Sequence, residues 1–244
     1  MSHRLVQQLF VLSLTAAAGT AAAGADPRPV LELAYQDAGQ DPRVSVVVYD
    51  DGTIVDCEGE RRGSCDASEL RALIAEVRDR HKVTTIETAG LTEAIQRESQ
   101  RTGKSWRIDG AGTTIVRFHQ DGAVHEVRCH AAGLLAERFP DVEPLQQVHN
   151  VEQRLRNVQA VVRVGGATEA DRLAELANQE LNGAGQVTRN DLQMVRVAGD
   201  GLRYAQFHCK TTRTDGRETA LVVAVFESPT AATRVTVSEL PATQ

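Results

Sequence analysis

Apolar and polar residues alternate along two segments, and each segment contains an Asp-Gly pair, a preferred two-residue β-turn. In the first, RVSVVVYDDGTIVDC, a turn at Asp51-Gly52 pairs Val46 with Cys57. Ser45 then lies on the outer face and is predicted to tolerate a charge. The face expected to point into a core carries Val44, Val46, Val48, Val55 and Cys57.

The second alternating segment, TTIVRFHQDGAVHEVRCH, is predicted to turn at Asp121-Gly122. This register sets Arg117 against Glu126 as a cross-strand ion pair that adds little stability. The predicted core face carries Val116, Phe118, Val127 and Cys129.

Apolar residues at helical spacing follow each hairpin. DASELRALIAEV predicts a helix that begins with a capping box formed by Asp66 and Glu69. LTEAIQRESQ, AAGLLAERF and EPLQQVHNVEQRLRNV predict further helices, the last with Pro144 in its first turn. Two hairpins, each followed by helices, predict an α+β module over residues 27–158.

The pattern restarts near residues 159–166. One helix is predicted, with a core face formed by Ala170, Leu173, Ala174, Ala177 and Leu181. The remaining apolar runs, DLQMVRV, LRYAQFHCKTT, TALVVAVFES and TRVTVSEL, predict four consecutive antiparallel strands. The predicted fold class is therefore α+β with two small domains, a hairpin and helix module at 27–158 and a helix on a four-stranded antiparallel sheet at 163–240.

Residues 1–25 are typical of a secretory signal. Arg4 precedes an apolar run too short to span a bilayer, and the small residues of AAAGAD allow cleavage. We expect a secreted or periplasmic protein without a membrane span. The formal net charge of -6 becomes about -7 once Arg4 is removed, and the chain has no basic block, which argues against a nucleic-acid partner. The 3 lysines against 24 arginines favour a GC-rich bacterial genome.

Four cysteines in an exported chain suggest disulfides. Cys57 and Cys65 bracket the short polar segment CEGERRGSC and form the predicted pair. The alternative is that some or all of the cysteines are small buried apolar residues.

Residues 163–240 resemble the cystatin superfamily. The resemblance rests on Gly165-Gly166 before a helix that carries LANQEL, on a long hairpin, on the polar loop TTRTDGRE, and on a last hairpin with Pro229 at its tip. It implies a curved antiparallel sheet wrapped around one helix. Residues 27–158 resemble an uncharacterised bacterial exported module, and that resemblance implies no site.

Inhibitory cystatins enter the cleft of papain-like proteases with a wedge of three parts: a glycine, a Gln-x-Val-x-Gly turn and a Pro-Trp turn. Gly165 or Gly166 matches the first part, whereas the second lacks its glutamine and Thr230 replaces the tryptophan of the third. The resemblance therefore implies a protein- or peptide-binding edge whose protease inhibition is weak or lost. The residues assigned to this edge are Gly165, Gly166, Val197, Ala198, Gly199, Asp200, Gly201, Pro229 and Thr230.

The Gly165-Gly166 pair has two other interpretations. A phosphate-binding loop would need a following Gly-Lys-Ser/Thr or a third glycine at the right spacing, and neither is present. A plain hinge between two domains would use glycine for its backbone freedom.

Catalytic chemistry has one weaker candidate, the second hairpin with His119, His125, Cys129 and His130. On a strand, His125 and Cys129 share a face while His130 points away, so the spacing does not favour a metal site. No cofactor is expected. The sequence thus favours an exported, non-catalytic binding protein. The alternatives are a structural envelope protein without a discrete site and a hydrolase or redox enzyme at His125 and Cys129.

Overall fold

The computed structural model describes residues 26–199, 201–212 and 218–240. The predicted signal segment and Asp200 lie outside the described residues. The strands are β1 Pro29–Gln36, β2 Arg43–Tyr49, β3 Thr53–Asp56, β4 Arg61–Ser64, β5 Thr113–Gln120, β6 Ala123–His130, β7 Leu192–Val197, β8 Arg203–Thr212, β9 Glu218–Ser228 and β10 Ala231–Glu239. The helices are α1 Ala67–Ala75, α2 Thr88–Thr102, α3 Ala132–Arg138, α4 Glu143–Val164 and α5 Ala167–Leu181.

Two antiparallel sheets form the fold, and the α+β prediction is confirmed. The first has six strands in the order β4-β3-β2-β1-β5-β6, and the second has four in the order β10-β9-β8-β7. Strand β1 was not among the predicted elements, although it joins the two predicted hairpins into one sheet. Leu31 and Leu33 of β1 are completely buried in the first core.

The first hairpin is shifted by one residue from the predicted register. Val46 lies opposite Asp56, not Cys57, and Val48 lies opposite Ile54. The reason is a three-residue loop in which Gly52, with a φ of 86°, is the last residue. The Asp51 carboxylate accepts a hydrogen bond from the backbone N–H of Thr53 at 2.8 Å, which fixes this loop.

This shift exchanges the two faces of β3, because side chains alternate along a strand. Ile54 and Asp56 point into the protein with exposures of 5% and 0%, while Cys57 is exposed. The prediction that Val55 and Cys57 face the core is therefore wrong. The expectation for Ser45 is also wrong, because Ser45 lies at a bulge in the β1–β2 pairing and is only 1% exposed.

The second hairpin has the predicted register, with Arg117 opposite Glu126 and Val116 opposite Val127. Here both loop residues, Asp121 and Gly122, have positive φ values of 51° and 80°, as a two-residue turn of the primed type requires. The capping box of α1 is confirmed as well, since Asp66 and Glu69 each accept the other's backbone N–H. Pro144 lies in the first turn of α4, as predicted.

Helix α4 packs on both sheets. Its completely buried residues Leu145, Val148, Val151 and Leu155 belong to the first core. Ala160 and Val164, near its end, belong to the core under the second sheet. The predicted boundary between 158 and 163 falls inside this 22-residue helix. The division into two domains stays a prediction.

The C-terminal part consists of α5 packed on the four-stranded antiparallel sheet, as predicted. The core side chains of α5 are those that the helical spacing indicated, namely Ala170, Leu173, Ala174, Ala177 and Leu181. They pack with apolar residues of the sheet, including Phe207 and Val223, which are completely buried.

Asp56 connects α4 to the first sheet. Arg163 of α4 donates two hydrogen bonds to its carboxylate, at 2.8 and 2.6 Å, and Gln159 donates a third at 2.7 Å. The backbone of Gly59 adds another. Burial alone would raise the pKa of Asp56, but these hydrogen bonds outweigh it and hold the pKa below its ordinary value. The buried carboxylate is therefore charged and fully paired at neutral pH.

Replacing Asp56 by Asn should lower the free energy of unfolding by about 3 kcal/mol, because a buried charge pair loses one partner while Arg163 keeps partial access to water. Urea unfolding followed by circular dichroism measures the change. Asp79→Asn is the matched control, since Asp79 accepts a similar pair of hydrogen bonds from Arg78 but on the surface. The control should be close to the unaltered protein. Equal losses in the two variants would contradict the anchoring role of Asp56.

The loss should also depend on pH. A carboxyl group whose pKa is lowered by folding stabilises the folded state above its unfolded pKa of about 3.9 and loses this effect as the pH falls through its folded pKa. The difference in unfolding free energy between the unaltered protein and Asp56→Asn should therefore be constant at neutral pH and shrink below about pH 4. A difference that grows on acidification would show that Asp56 is not charged in the folded state.

Candidate functional site

Gly165 and Gly166 turn the chain from α4 into α5. Gly165 ends α4 with a φ of 117°, and Gly166 precedes α5 with a φ of 102°. The N–H of Gly166 donates to the carbonyl oxygen of Val161 at 2.8 Å, which closes the end of α4. Both positions lie in the region of backbone conformation that favours glycine. The local structure therefore explains why two glycines stand here: they allow α5 to follow α4 directly, without a longer loop.

The two hairpin turns of the second sheet touch each other. Gly201 of the β7–β8 turn packs against Pro229 of the β9–β10 turn, so closely that a Cβ atom at Gly201 would lie 2.8 Å from the Pro229 ring. The first turn is closed by a hydrogen bond from the Gly201 N–H to the Ala198 carbonyl oxygen at 3.0 Å. The second is closed by the Ser228 hydroxyl, which accepts the Thr230 N–H at 3.3 Å.

A network of four charged side chains ties the start of α5 to the same end of the sheet. Arg172 donates to Glu169 at 2.8 Å and to both carboxylate oxygens of Glu227 at 2.7 Å. Arg203 of β8 contacts Glu169 and Glu227 as well. Hydrogen bonds from Arg172 lower the pKa of Glu169, so this carboxylate remains charged over the neutral range.

The start of α5 and the two turns therefore lie at one end of the second sheet, which we call the turn edge. Gly165, Ala198, Gly199, Gly201, Pro229 and Thr230 are exposed there, and Gly166 is half-buried. Two apolar side chains are exposed at the β7–β8 hairpin, Val197 at 39% and Leu202 at 42%. Val197 was among the residues predicted for the binding edge, whereas Leu202, which directly follows Gly201, was not.

The structure does not contain the Cys57–Cys65 disulfide. Both residues are free thiols, and the pairing of β3 with β4 explains why. Cys57 lies in the turn at one end of this hairpin, while Cys65 lies beside Gly52 at the other end, where its N–H donates to the Gly52 carbonyl oxygen at 3.0 Å. The length of β4 keeps them about 13 Å apart. A disulfide needs Cα atoms within about 7 Å.

The His and Cys residues of the β5–β6 hairpin have structural partners. Cys129 is only 3% exposed, and burial, with a smaller effect of Glu152, raises the pKa of its thiol to about 12. The Nε2 atoms of His125 and His130 lie 3.0 and 2.8 Å from the backbone oxygens of Ile86 and Ile108. Nε2 of His119 lies 2.8 Å from a carboxylate oxygen of Glu32. Each histidine of the hairpin thus contacts a residue outside it, and the raised pKa keeps Cys129 protonated at neutral pH. Across the described ranges, no three His, Cys, Asp or Glu residues are arranged to hold a metal ion.

One buried polar cluster was not found by sequence reasoning because its members are far apart in the chain. The Tyr35 hydroxyl donates to Glu152 of α4 at 3.0 Å, and burial, with Glu152 second, raises the pKa of Tyr35. The other oxygen of Glu152 lies 3.7 Å from Nδ1 of His149. Tyr35 and His149 line a cavity of about 590 Å³ whose lining contains no cysteine and no serine. The hydrogen bond between Tyr35 and Glu152 fastens α4 to β1.

Thiol accessibility tests these assignments. When the folded protein is treated with N-ethylmaleimide at neutral pH, Cys57 should be alkylated first, and slowly, because partial burial and then Asp56 and other carboxylates raise its pKa. Cys129 and Cys209, which are buried, should be protected until urea is added. Peptide mapping by mass spectrometry measures the order. Rapid labelling of Cys129 in the folded state, or a peptide that joins Cys57 to Cys65, would contradict the structure.

No helix within the described residues has the length and apolar character needed to cross a membrane. A scan against protein-family models found no match, and a search of the curated proteins found no significantly similar sequence.

Proposed function

We propose that this chain is an exported, non-catalytic binding protein that contacts a protein or peptide through the turn edge. The observation that supports the proposal best is the contact between Gly201 and Pro229, at the end of the sheet to which the charged network ties the start of α5. Three segments far apart in sequence thereby lie toward the same end of the second sheet. The resemblance to cystatins, which bind with the corresponding three segments, supports the same assignment.

The chemistry of the turn edge favours an apolar and backbone-mediated contact. Val197 and Leu202 offer exposed apolar surface, and the neighbouring Ala198 and Gly199 allow close approach of another backbone. Glu169, Arg172, Arg203 and Glu227, which tie α5 to this end of the sheet, neutralise one another. The exposed charge directly beside Val197 is Arg196, so a partner meets an apolar surface with one basic residue next to it.

A papain-like protease is the partner class that the resemblance suggests. Thr230 occupies the position where a buried tryptophan would supply much of the binding energy, because aromatic anchors dominate such interfaces. We therefore propose weak or lost inhibition.

Inhibition of papain by the full chain tests the protease partner. The unaltered protein should inhibit weakly or not at all, and Thr230→Trp should strengthen inhibition about tenfold, because the new side chain restores the aromatic anchor. Val124→Trp is the matched control, since Val124 is 54% exposed at the tip of the β5–β6 hairpin, in the other sheet. Tight inhibition by the unaltered chain would show that the tryptophan is not needed. Equal effects of the two substitutions, or none, would remove the case for a protease partner.

A partner of another class is tested by capture from the exported fraction of the native cell. Val197→Asp places a charge on the turn edge without disturbing a buried residue and should abolish capture, whereas Val124→Asp should leave it unchanged. Loss of capture with both substitutions, or with neither, would contradict binding at the turn edge.

A further inference from the structure

The two sheets have four edge strands, and three of them are protected against the addition of a further strand. β4 is only four residues long and carries the exposed Arg61 and Arg62, so it offers little for another strand to pair with. On β6, the outward N–H of Arg128 donates to the Thr88 hydroxyl of α2 at 3.0 Å. On β7, Asn157 of α4 donates to the carbonyl oxygen of Leu192 at 3.0 Å. Covering an edge in this way blocks the addition of another strand.

The fourth edge strand, β10, is nine residues long, and most of its side chains are exposed. Beyond its end, the N–H of Leu240 donates to the carbonyl oxygen of Ala220 on β9 at 2.9 Å. Because hydrogen-bonding direction alternates along an antiparallel strand, Thr236 and Ser238 also point their backbone groups at β9. Val235 and Val237 therefore point their N–H and C=O groups away from the sheet, and within the described ranges nothing pairs with them.

The side chains of the same two residues extend an apolar surface to this edge. Val235 and Val237 lie opposite Val225 and Val223 of β9, which are buried in the second core with exposures of 1% and 0%. Val237 itself remains 41% exposed. An edge with open backbone groups and apolar side chains, without an inward proline or lysine, is the arrangement that monomeric proteins avoid.

We infer that β10 pairs with β10 of a second copy of this chain, antiparallel about a two-fold axis at Thr236, so that the two four-stranded sheets become one of eight strands. In this register each Val235 lies opposite Val237 of the other copy, and both residues have their hydrogen-bonding groups turned outward as the pairing requires. Thr236 lies opposite its own equivalent, which brings two β-branched side chains together.

Charge compatibility favours a second copy in this register. Arg234 lies opposite Ser238 of the other copy, so no like charges face each other directly. Moving the axis to Val237 would place Val235 opposite Glu239 and Arg234 opposite Leu240, both of which are unfavourable pairs. A short pair of strands buries less surface than a permanent dimer does, so the dimer is expected to depend on concentration. The Pro229-Thr230 turn lies outside the paired residues.

Sedimentation velocity of the full chain over a range of concentrations tests the pairing. The unaltered protein should shift from monomer to dimer as its concentration rises. Thr236→Lys should weaken self-association about tenfold, because two like charges would face each other across the axis, and Thr236→Glu should do the same. An equal mixture of the two variants should associate at least as well as the unaltered protein, because lysine then faces glutamate.

The mixture distinguishes weakened strand pairing from misfolding of the variants, since a misfolded variant would not regain association when its counterpart is added. Val124→Lys is the control for added charge and should leave association unchanged. A monomer at all concentrations, a mixture that fails to recover, or a dimer that both Thr236 variants leave intact would overturn the inference. The last outcome would place any dimer contact elsewhere.

Discussion

A buried carboxylate, Asp56, fixes the position of the longest helix, and much of the fold depends on that helix. A charge without exposure to water must be compensated, and Arg163 and Gln159 do so with three hydrogen bonds from one side of α4. These contacts allow little freedom in rotation or translation of α4 along the sheet. Close backbone approach supports the same position, because Gly59 leaves room for the Asp56 carboxylate and Gly63 leaves room for Val162. Both cores take residues from α4, so the two sheets are positioned by one anchored helix.

The end of α4 also determines where the turn edge forms. The helix ends at Gly165, two residues after Arg163, and the two glycines direct the chain at once into α5. The first turns of α5 are then held against β8 and β9 by the network of Glu169, Arg172, Arg203 and Glu227. The edge proposed for binding is thus built on rigid elements, which allows a partner to bind with little loss of conformational freedom.

Most groups that could suggest catalysis are used to hold the structure together. His125 and His130 contact backbone oxygens, Cys129 is buried with a raised pKa, and Tyr35 binds Glu152. The exposed apolar residues of the turn edge and the unpaired side of β10 both lie in the second sheet. We propose each of them as a surface for contact with another chain. They lie on different sides of the sheet, so occupation of one does not require occupation of the other.

The local pattern of the sequence determined the elements and much of their packing. The spacing of apolar residues was sufficient for the buried face of α5, the capping residues for the start of α1, and the second Asp-Gly turn for the register of its hairpin. The Asp-Gly pair of the first hairpin led to the wrong register, because Asp-Gly also fits a three-residue loop. A register shift of one residue decides whether Asp56 or Cys57 is buried. Which of the two residues is buried depends on α4, because Arg163 of this helix pairs with Asp56. Arg163 and Asp56 are more than 100 positions apart in the chain, so no local sequence pattern encodes their hydrogen bonds. Likewise the glycines and turns of the proposed binding edge were visible in the sequence. The contact between Gly201 and Pro229, the helices beside β6 and β7, and the unpaired side of β10 arise only when distant segments pack together.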